Sequence, residues 1–379
     1  MKRVIAFIKS EIVLTVAMML AVVSMFFVHP DKNYLEYIDF RTLSILFCLM
    51  AVMAGFQKIG LFRLIAEKLL KKVSGVFGLV YILVMLCFFF SMLITNDVAL
   101  ITFIPFTFIV LQLLGEDLEK RLIIPVVVMQ TIAANLGSML TPIGNPQNLY
   151  LYGQAGLSFM QFMLLVLPYA SVSFLLLTVY CISLGTGGLS RKNTISVSFA
   201  SETSLAGKEK AIIRYIVLFI ISLLVVIRVI PYPVALVIVI IALLVFDRPL
   251  FREIDYALLL TFVGFFVFIG NMGRVPVFNS FLASIIEGNE VLTSVVASQV
   301  ISNVPAALLL SGFTDNIRGL IIGTNLGGLG TLIASMASLI SYKFVAKSDK
   351  CNKGAYFRSF TVWNVIFLAV LLGVWIMGR

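Results

Sequence analysis

Charge is what this chain has least of. Only 12% of its 379 residues are Asp, Glu, Lys or Arg, where soluble domains carry about 25%; 61% are hydrophobic and mean hydropathy is +1.09. That shortage excludes a soluble globular domain and leaves an all-α polytopic membrane protein. The net charge of +10 is not a nucleic-acid signal, because the bases sit in loops between apolar runs, where the anionic cytoplasmic membrane face accounts for them. Histidine is nearly absent: His29, the only one, precedes Pro30 at a membrane interface and reads as structural. Cys48, Cys87, Cys181 and Cys351 make no CxxC pair, and three lie in apolar spans, so they read as small buried hydrophobes. HExxH, GxSxG and Walker-type loops are missing, as is any nucleophile–base pair at membrane depth. The chain therefore does not read as an enzyme, and it implies no cofactor beyond a coupling ion.

Extended polar sequence is missing too, with one exception. Residues 185–210, GTGGLSRKNTISVSFASETSLAGKEK, read as a cytoplasmic linker between a first half, 1–184, and a second, 211–379. Apolar runs fit to cross the bilayer cover 11–28, 41–57, 122–152, 159–182, 211–228, 234–246, 256–271, 316–342 and 362–377. A crossing helix needs about 20 residues, so 234–246 is the shortest candidate. The start, MKRVIAFIKS, lacks a small-x-small cleavage site after its apolar run and reads as an uncleaved first span. Residues 58–72, KIGLFRLIAEKLLKK, carry apolar residues at helical spacing with bases between, as an interfacial helix does.

Two further stretches read as re-entrant hairpins, 75–114 bent at Thr95-Asn96-Asp97 and 291–313 bent at Ser302-Asn303-Val304-Pro305. The arms of the first are long enough to be two ordinary spans, and that alternative stays open. The halves repeat: ITNDVALITF (94–103) matches ISNVPAALLL (301–310), and ANLGSMLTPIG (134–144) matches TNLGGLGTLIA (324–334). A weaker pair sets Ile38-Asp39 against Ile254-Asp255. Five crossings separate equivalent points, which turns the second copy upside down, the inverted-repeat plan of secondary transporters. With the N-terminus in the cytoplasm, 22 of the 28 lysines and arginines fall inside, as the positive-inside rule requires, and the C-terminus falls outside.

The chemistry concentrates at the tips and at the interrupted runs. In 122–152, Gly137, Pro142, Gly144 and Pro146 break a would-be helix, while Asn135, Thr141, Asn145, Gln147 and Asn148 bring polar groups to the break. In hydrocarbon such backbone survives only where protein buries it or a polar cavity meets it. The partner break carries Asn325, Gly327, Gly330 and Thr331. Each tip sets a hydroxyl beside an amide, Thr95 with Asn96 and Ser302 with Asn303, at the start of a helical arm whose free N–H groups suit an anion. Carbonyls and hydroxyls there also suit a small hard cation, with Asn96, Asn145 and Asn303 as Na⁺ candidates. The plainer account of the tips is N-capping, since Ser, Thr, Asn and Asp are preferred caps. Glycine packing notches are the plainer account of Gly327-Gly328. Asp97 is the acid at membrane depth, either a first-turn acid complementing the dipole or a proton or Na⁺ coupling site. Lys58 and Arg274 read as snorkelling helix-end residues, with a counter-charge for an anion as the alternative. A channel fits polar breaks as well, but paired re-entrant halves favour alternating access.

These residues resemble the ion transporter superfamily of citrate-transporter-like permeases, which includes divalent anion:sodium symporters, arsenite permeases and NhaD-type antiporters. The resemblance runs over roughly 41–342 and rests on the tips TND and SNV and the break TPIGNPQNL. It implies an ion-coupled anion permease, often dimeric, in which both hairpins and both broken helices slide against a scaffold like an elevator. It also implies that Thr95, Asn96, Ser302 and Asn303 contact substrate or Na⁺. Gly137, Thr141, Gly144 and Asn145 with Gly327, Gly330 and Thr331 would then complete two ion sites. The third tip positions depart from the Ser-Asn-Thr of dicarboxylate carriers, being Asp97 and Val304. A carboxylate beside the site repels a dianion unless it is protonated or paired, which points to a smaller or differently charged anion. Na⁺/H⁺ exchange without an organic substrate and arsenite-like oxyanion efflux remain as alternatives. The expected partners are a small anion, the bilayer of a bacterial or archaeal inner membrane and a second copy of the chain, with no nucleic acid.

Overall fold

In the computed structural model, which describes residues 11–73, 75–186, 207–349 and 351–378, the regular elements are all helical. Positions 1–10, 187–206 of the expected linker, and the basic residues Lys350 and Arg379 lie outside the described residues. The first half holds α1 (Ile12–Ser24), α2 (Phe40–Ile59), α3 (Leu61–Leu70), α4 (Val76–Ile94), α5 (Asn96–Gln112), α6 (Glu116–Ser138), α7 (Pro146–Gln154) and α8 (Phe159–Thr186). After α9 (Glu209–Val226) come α10 (Tyr232–Phe246), α11 (Tyr256–Gly273), α12 (Pro276–Ile286), α13 (Glu290–Ile301), α14 (Asn303–Ser311), α15 (Ile317–Leu326), α16 (Met336–Lys347) and α17 (Lys353–Met377). Six helical stretches among the described residues are long and apolar enough to cross a membrane: 32–59, α4, α6, 159–184, α11 and α17. At 13 and 15 residues, α1 and α10 fall short of that length. The four cysteines are free and buried, and His29 is exposed in the loop after α1.

Two four-helix modules make the centre. In one, the α4–α5 hairpin packs on α6; in the other, the α13–α14 hairpin packs on α15. The modules interlock, α16 lying against α5 and α6 while α14 and α15 lie against α7. Around them, α1 packs on α11, and α9 and α10 pack on α2. Apolar faces remain on the outside, as at Val237, Ile241 and Val245 of α10.

The matched sequence pairs take matching backbone. Asp39 and Asp255 cap α2 and α11 with nearly identical angles (φ −77°, ψ 82° and φ −78°, ψ 83°), their carboxylates accepting from the Thr42 and Leu258 amides at 2.9 Å. Gly60, at φ 86°, ends α2 and turns the chain into the amphipathic α3, as the composition of 58–72 requires. One helix has no counterpart in the sequence reading. α12 starts with Pro276 at its first position, and its axis lies 108° from that of α13. Its apolar stripe, Val277, Phe281 and Ile285, is exposed, so its pattern is that of a surface helix rather than a span.

Close backbone approach fixes the hairpin on the broken helix. A Cβ at Gly137 would meet the Phe88 carbonyl of α4, whereas at the matched Gly327 it would first meet the Ser298 side chain of α13. A carbonyl within a helix cannot turn aside as a hydroxyl can. Gly137→Ala is therefore expected to lower stability by roughly 1–3 kcal/mol, and Gly327→Ala by less. Melting temperatures of the purified variants in one detergent check that order.

Candidate functional site

Each hairpin reverses through one residue in a conformation normally kept for glycine: Thr95 at φ 69°, ψ 153° and Ser302 at φ 75°, ψ 155°. Such a backbone costs about 1–3 kcal/mol per residue and persists only where its surroundings impose it; for the β-branched Thr95 it is a clear outlier. Neither hydroxyl caps the helix that follows, so capping does not explain the tips. What imposes them is the opposite break. The Asn96 amide donates to the Gly144 carbonyl at 3.2 Å, and the Asn303 amide donates to the Ala334 carbonyl at 2.9 Å. The Thr141 hydroxyl donates back to the Met92 carbonyl, and the Thr331 hydroxyl to the Gln299 carbonyl at 3.1 Å. Each tip is thus laced to the unwound segment of its own half by the same two bonds.

The halves are joined through buried asparagines. Asn135 Oδ1 accepts from Asn96 Nδ2 at 3.0 Å and from Ser335 Oγ at 2.9 Å, and its Nδ2 donates to the Gly328 carbonyl at 3.4 Å. Asn325 Nδ2 donates to Asn148 Oδ1 and to the Ile321 carbonyl, both at 2.7 Å. Asn145 Nδ2 donates to Ser138 Oγ at 2.7 Å. Several oxygens here are buried without a hydrogen-bond partner: Asn145 Oδ1, Asn325 Oδ1, Asp97 Oδ1 and Gln147 Oε1. Unpaired buried acceptors are expensive, and carboxamide and carboxylate oxygens are the kind of donor that a hard cation takes.

Fewer amides are free for an anion than the helix starts suggest. The Asn96 and Asn303 amides serve break carbonyls, the Asp97 amide donates to Asn96 Oδ1 at 2.9 Å, and Pro305 has no N–H. A cavity of about 370 Å³ adjoins the first tip, lined by Thr95, Asp97 and Pro146 with Leu49 of α2 and Glu253 and Asp255 before α11. Three carboxylates face it, and no lysine or arginine lines it. The two bases weighed as counter-charges, Lys58 and Arg274, are engaged elsewhere. Lys58 pairs with Asp247 at 2.6 Å, and Arg274 meets Tyr37 Oη at 3.0 Å and Asp31 at 2.7 Å, bonds that push its pKa up.

Of the residues singled out in the sequence, Thr95, Asp97 and Pro146 line the cavity. Asn96, Asn135, Asn148 and Asn325 form the crossing. Ser302 and Asn303 dock on the second break, away from that cavity. Gly137 and Gly327 carry the close approaches, and Pro142, Gly144 and Gly330 lie in the unwound segments. Ser138, Glu253, Asp255 and Gln299 were missed as site residues. Asp255 had a signal in its match with Asp39; the others have none beyond being polar residues near apolar sequence.

The profile described as citrate transporter matches residues 4–318. This chain belongs to the citrate transporter family. An uncharacterised transporter of Methanocaldococcus jannaschii is 34% identical over 311 residues, 81% of each chain. The inner membrane protein YbiR of Escherichia coli is 30% identical over 326 residues, 84% of each. The silicon efflux transporter LSI3 of rice is 32% identical over 142 residues, 37% of this chain and 28% of that protein. The family is one of transporters, not enzymes, and with the apolar helices it makes this chain an integral membrane protein.

Strain at the first tip gives a test. Thr95→Gly removes the backbone penalty, offset by about 0.5–1 kcal/mol of glycine entropy. The variant is expected to unfold at higher temperature than the parent while losing transport, because the hydroxyl facing the cavity goes too. A lower melting temperature would mean the tip is unstrained.

Proposed function

We propose that the chain is an ion-coupled secondary active transporter that moves a small anion by alternating access, with Na⁺ or H⁺ as coupling ion. The observation that carries it is the crossing of two unwound segments, each laced to a strained hairpin tip, with unpartnered oxygens beside a cavity. Broken helices meeting at one point are how transporters place a site at membrane depth. In this reading Asn96 and Asn145 contribute to cation binding, Asn303 ties the second tip to its break, and Thr95 and Asp97 face the cargo.

The finer parts of the reading follow from lengths and placement. α14 has nine residues and rises only about 14 Å, so it turns back inside a hydrocarbon core of about 30 Å. The two modules move as one body past α2 and α11, in an elevator whose scaffold pairs with a second copy. The halves are inverted, with the N-terminus cytoplasmic and the C-terminus outside in a bacterial or archaeal inner membrane. In that orientation the cavity, running from Thr95 to Gln57 and Glu253, opens inward.

The three carboxylates favour a second reading. An anion must enter that cavity together with cations or protons that offset Asp97, Glu253 and Asp255. A cargo without negative charge needs no such company, which supports either cation–proton exchange or passage of a protonated oxyacid. Silicon, named as the cargo of the rice relative, travels in water as such an oxyacid.

Proteoliposomes under imposed Na⁺ or proton gradients separate these. Gradient-driven uptake of a radiolabelled small anion supports the first reading; dye-reported Na⁺/H⁺ exchange without any anion, or flux of silicic acid alone, supports the second. Asp97→Asn is expected to keep cargo exchange across equal gradients and to abolish uphill accumulation. Channel-like conductance insensitive to Asn96→Ala and Asn303→Ala overturns both readings.

A further inference from the structure

The two breaks differ in what fills them. In the second, the side chain of Gln299, three residues before the tip Ser302, reaches into the unwound segment. Its Nε2 lies 3.1 Å from the Val295 carbonyl, 3.0 Å from Gly327 and 2.9 Å from Leu329, while its Oε1 accepts from the Thr331 amide at 2.8 Å. Three carbonyl oxygens thus converge on one electropositive nitrogen. Gly330, at φ 109°, passes so close to the carboxamide that any Cβ there would collide with it. The break is built around that side chain.

The first break has the same backbone and a weaker filler: Asn148 Nδ2 lies 3.4 Å from both the Ser138 and the Thr141 carbonyls, against 3.0 and 2.9 Å for Gln299 on Gly327 and Leu329. The residue matching Gln299 is Met92, whose carbonyl is held by Thr141 as that of Gln299 is held by Thr331, but whose thioether donates no hydrogen bond. The residue matching Asn145 is Ser335, and its hydroxyl is spent on Asn135 and on capping Ala337. Asn145 Oδ1, Gln147 Oε1 and Asp97 Oδ1 have no partner in the first half, against Asn325 Oδ1 at the second break. Unwound carbonyls at a transporter's broken helix are what a coupling cation coordinates. In the second half an amide already satisfies them.

We infer that the carboxamide of Gln299 stands in the second half where a coupling cation would stand, so that the transporter takes its cation at the first half alone. The inference rests on the reading of the chain as an ion-coupled transporter. It makes the two halves unequal in chemistry although they are alike in backbone. The site's negative ends are met permanently by a neutral amide on one side and transiently by a mobile cation on the other.

Equilibrium binding of radioactive Na⁺ to the purified protein in nanodiscs tests this. Gln299→Glu replaces the donor nitrogen by a carboxylate oxygen among the same carbonyls, and should bind one more Na⁺ per chain than the parent, whether the parent binds one or none. Gln299→Met, which copies the first half, leaves the Gly327 and Leu329 carbonyls unpaired; its melting temperature should fall in KCl and recover in NaCl more than the parent's does. A parent that binds two Na⁺, or variants that match the parent in both stoichiometry and salt response, overturns the inference. Absence of any gradient-driven flux by the parent overturns instead the transport reading beneath it.

Discussion

Everything at the centre of this protein depends on two backbone hydrogen bonds, Asn96 to Gly144 and Asn303 to Ala334. A helix that stops inside hydrocarbon leaves amides and carbonyls with no solvent to take them. Here the amide that begins one arm of a hairpin is given to a carbonyl exposed where another helix stops. Each interruption solves the other's deficit, and neither would be tolerable alone. The same bond dictates the unusual dihedral of the tip, because only a residue turned to positive φ brings the next amide onto that carbonyl. Strain at Thr95 and Ser302 follows from this docking and is held by it.

The docking leaves a surplus of acceptors, since each broken helix frees several carbonyls and receives one amide. Side chains decide what happens to that surplus. Asn135 and Asn148 spend theirs across the interface between halves, which welds the two modules into one body. Gln299 spends its own within the second half. Most of the remainder, Asn145 Oδ1, Gln147 Oε1 and Asp97 Oδ1, lies in the first half, with Asn325 Oδ1 in the second, and the carboxylate-lined cavity lies on the first-half side as well. Placement of charge therefore follows from a difference of a few side chains on a common backbone.

Much of this was legible beforehand because membrane proteins punish irregularity. Glycine, proline and amides inside apolar runs have few innocent explanations, so 94–97, 137–146 and 302–305 stood out, and their repetition exposed the pairing. The start of α2 and α11 could be matched from two aspartates. Other features could not be read. α12 is short and mixed in composition, and its Pro276 looks in sequence like a breaker when it is a helix start. Glu253 and Asp255 sit beside the cavity only because α11 begins next to the first tip, a tertiary fact with no local trace. The tips looked like ordinary caps, and only the torsions and the absent cap bonds separate the two accounts.

The role of Gln299 was hidden for a different reason. Alignment of the halves puts it opposite Met92, a change that in sequence reads as an ordinary exchange on one helix face. Its meaning lies in direction and distance: besides the Val295 carbonyl of its own helix, the carboxamide reaches across to the Gly327 and Leu329 carbonyls of the break. A polar side chain that satisfies backbone groups of another segment removes those groups from the pool available to a ligand. Counting helix breaks therefore overestimates the number of ion sites in a duplicated transporter fold. The better count weighs how closely a protein donor already holds each break's carbonyls: Gln299 holds Gly327 and Leu329 at 3.0 and 2.9 Å, whereas Asn148 reaches Ser138 and Thr141 at 3.4 Å, which leaves the first break the more open of the two.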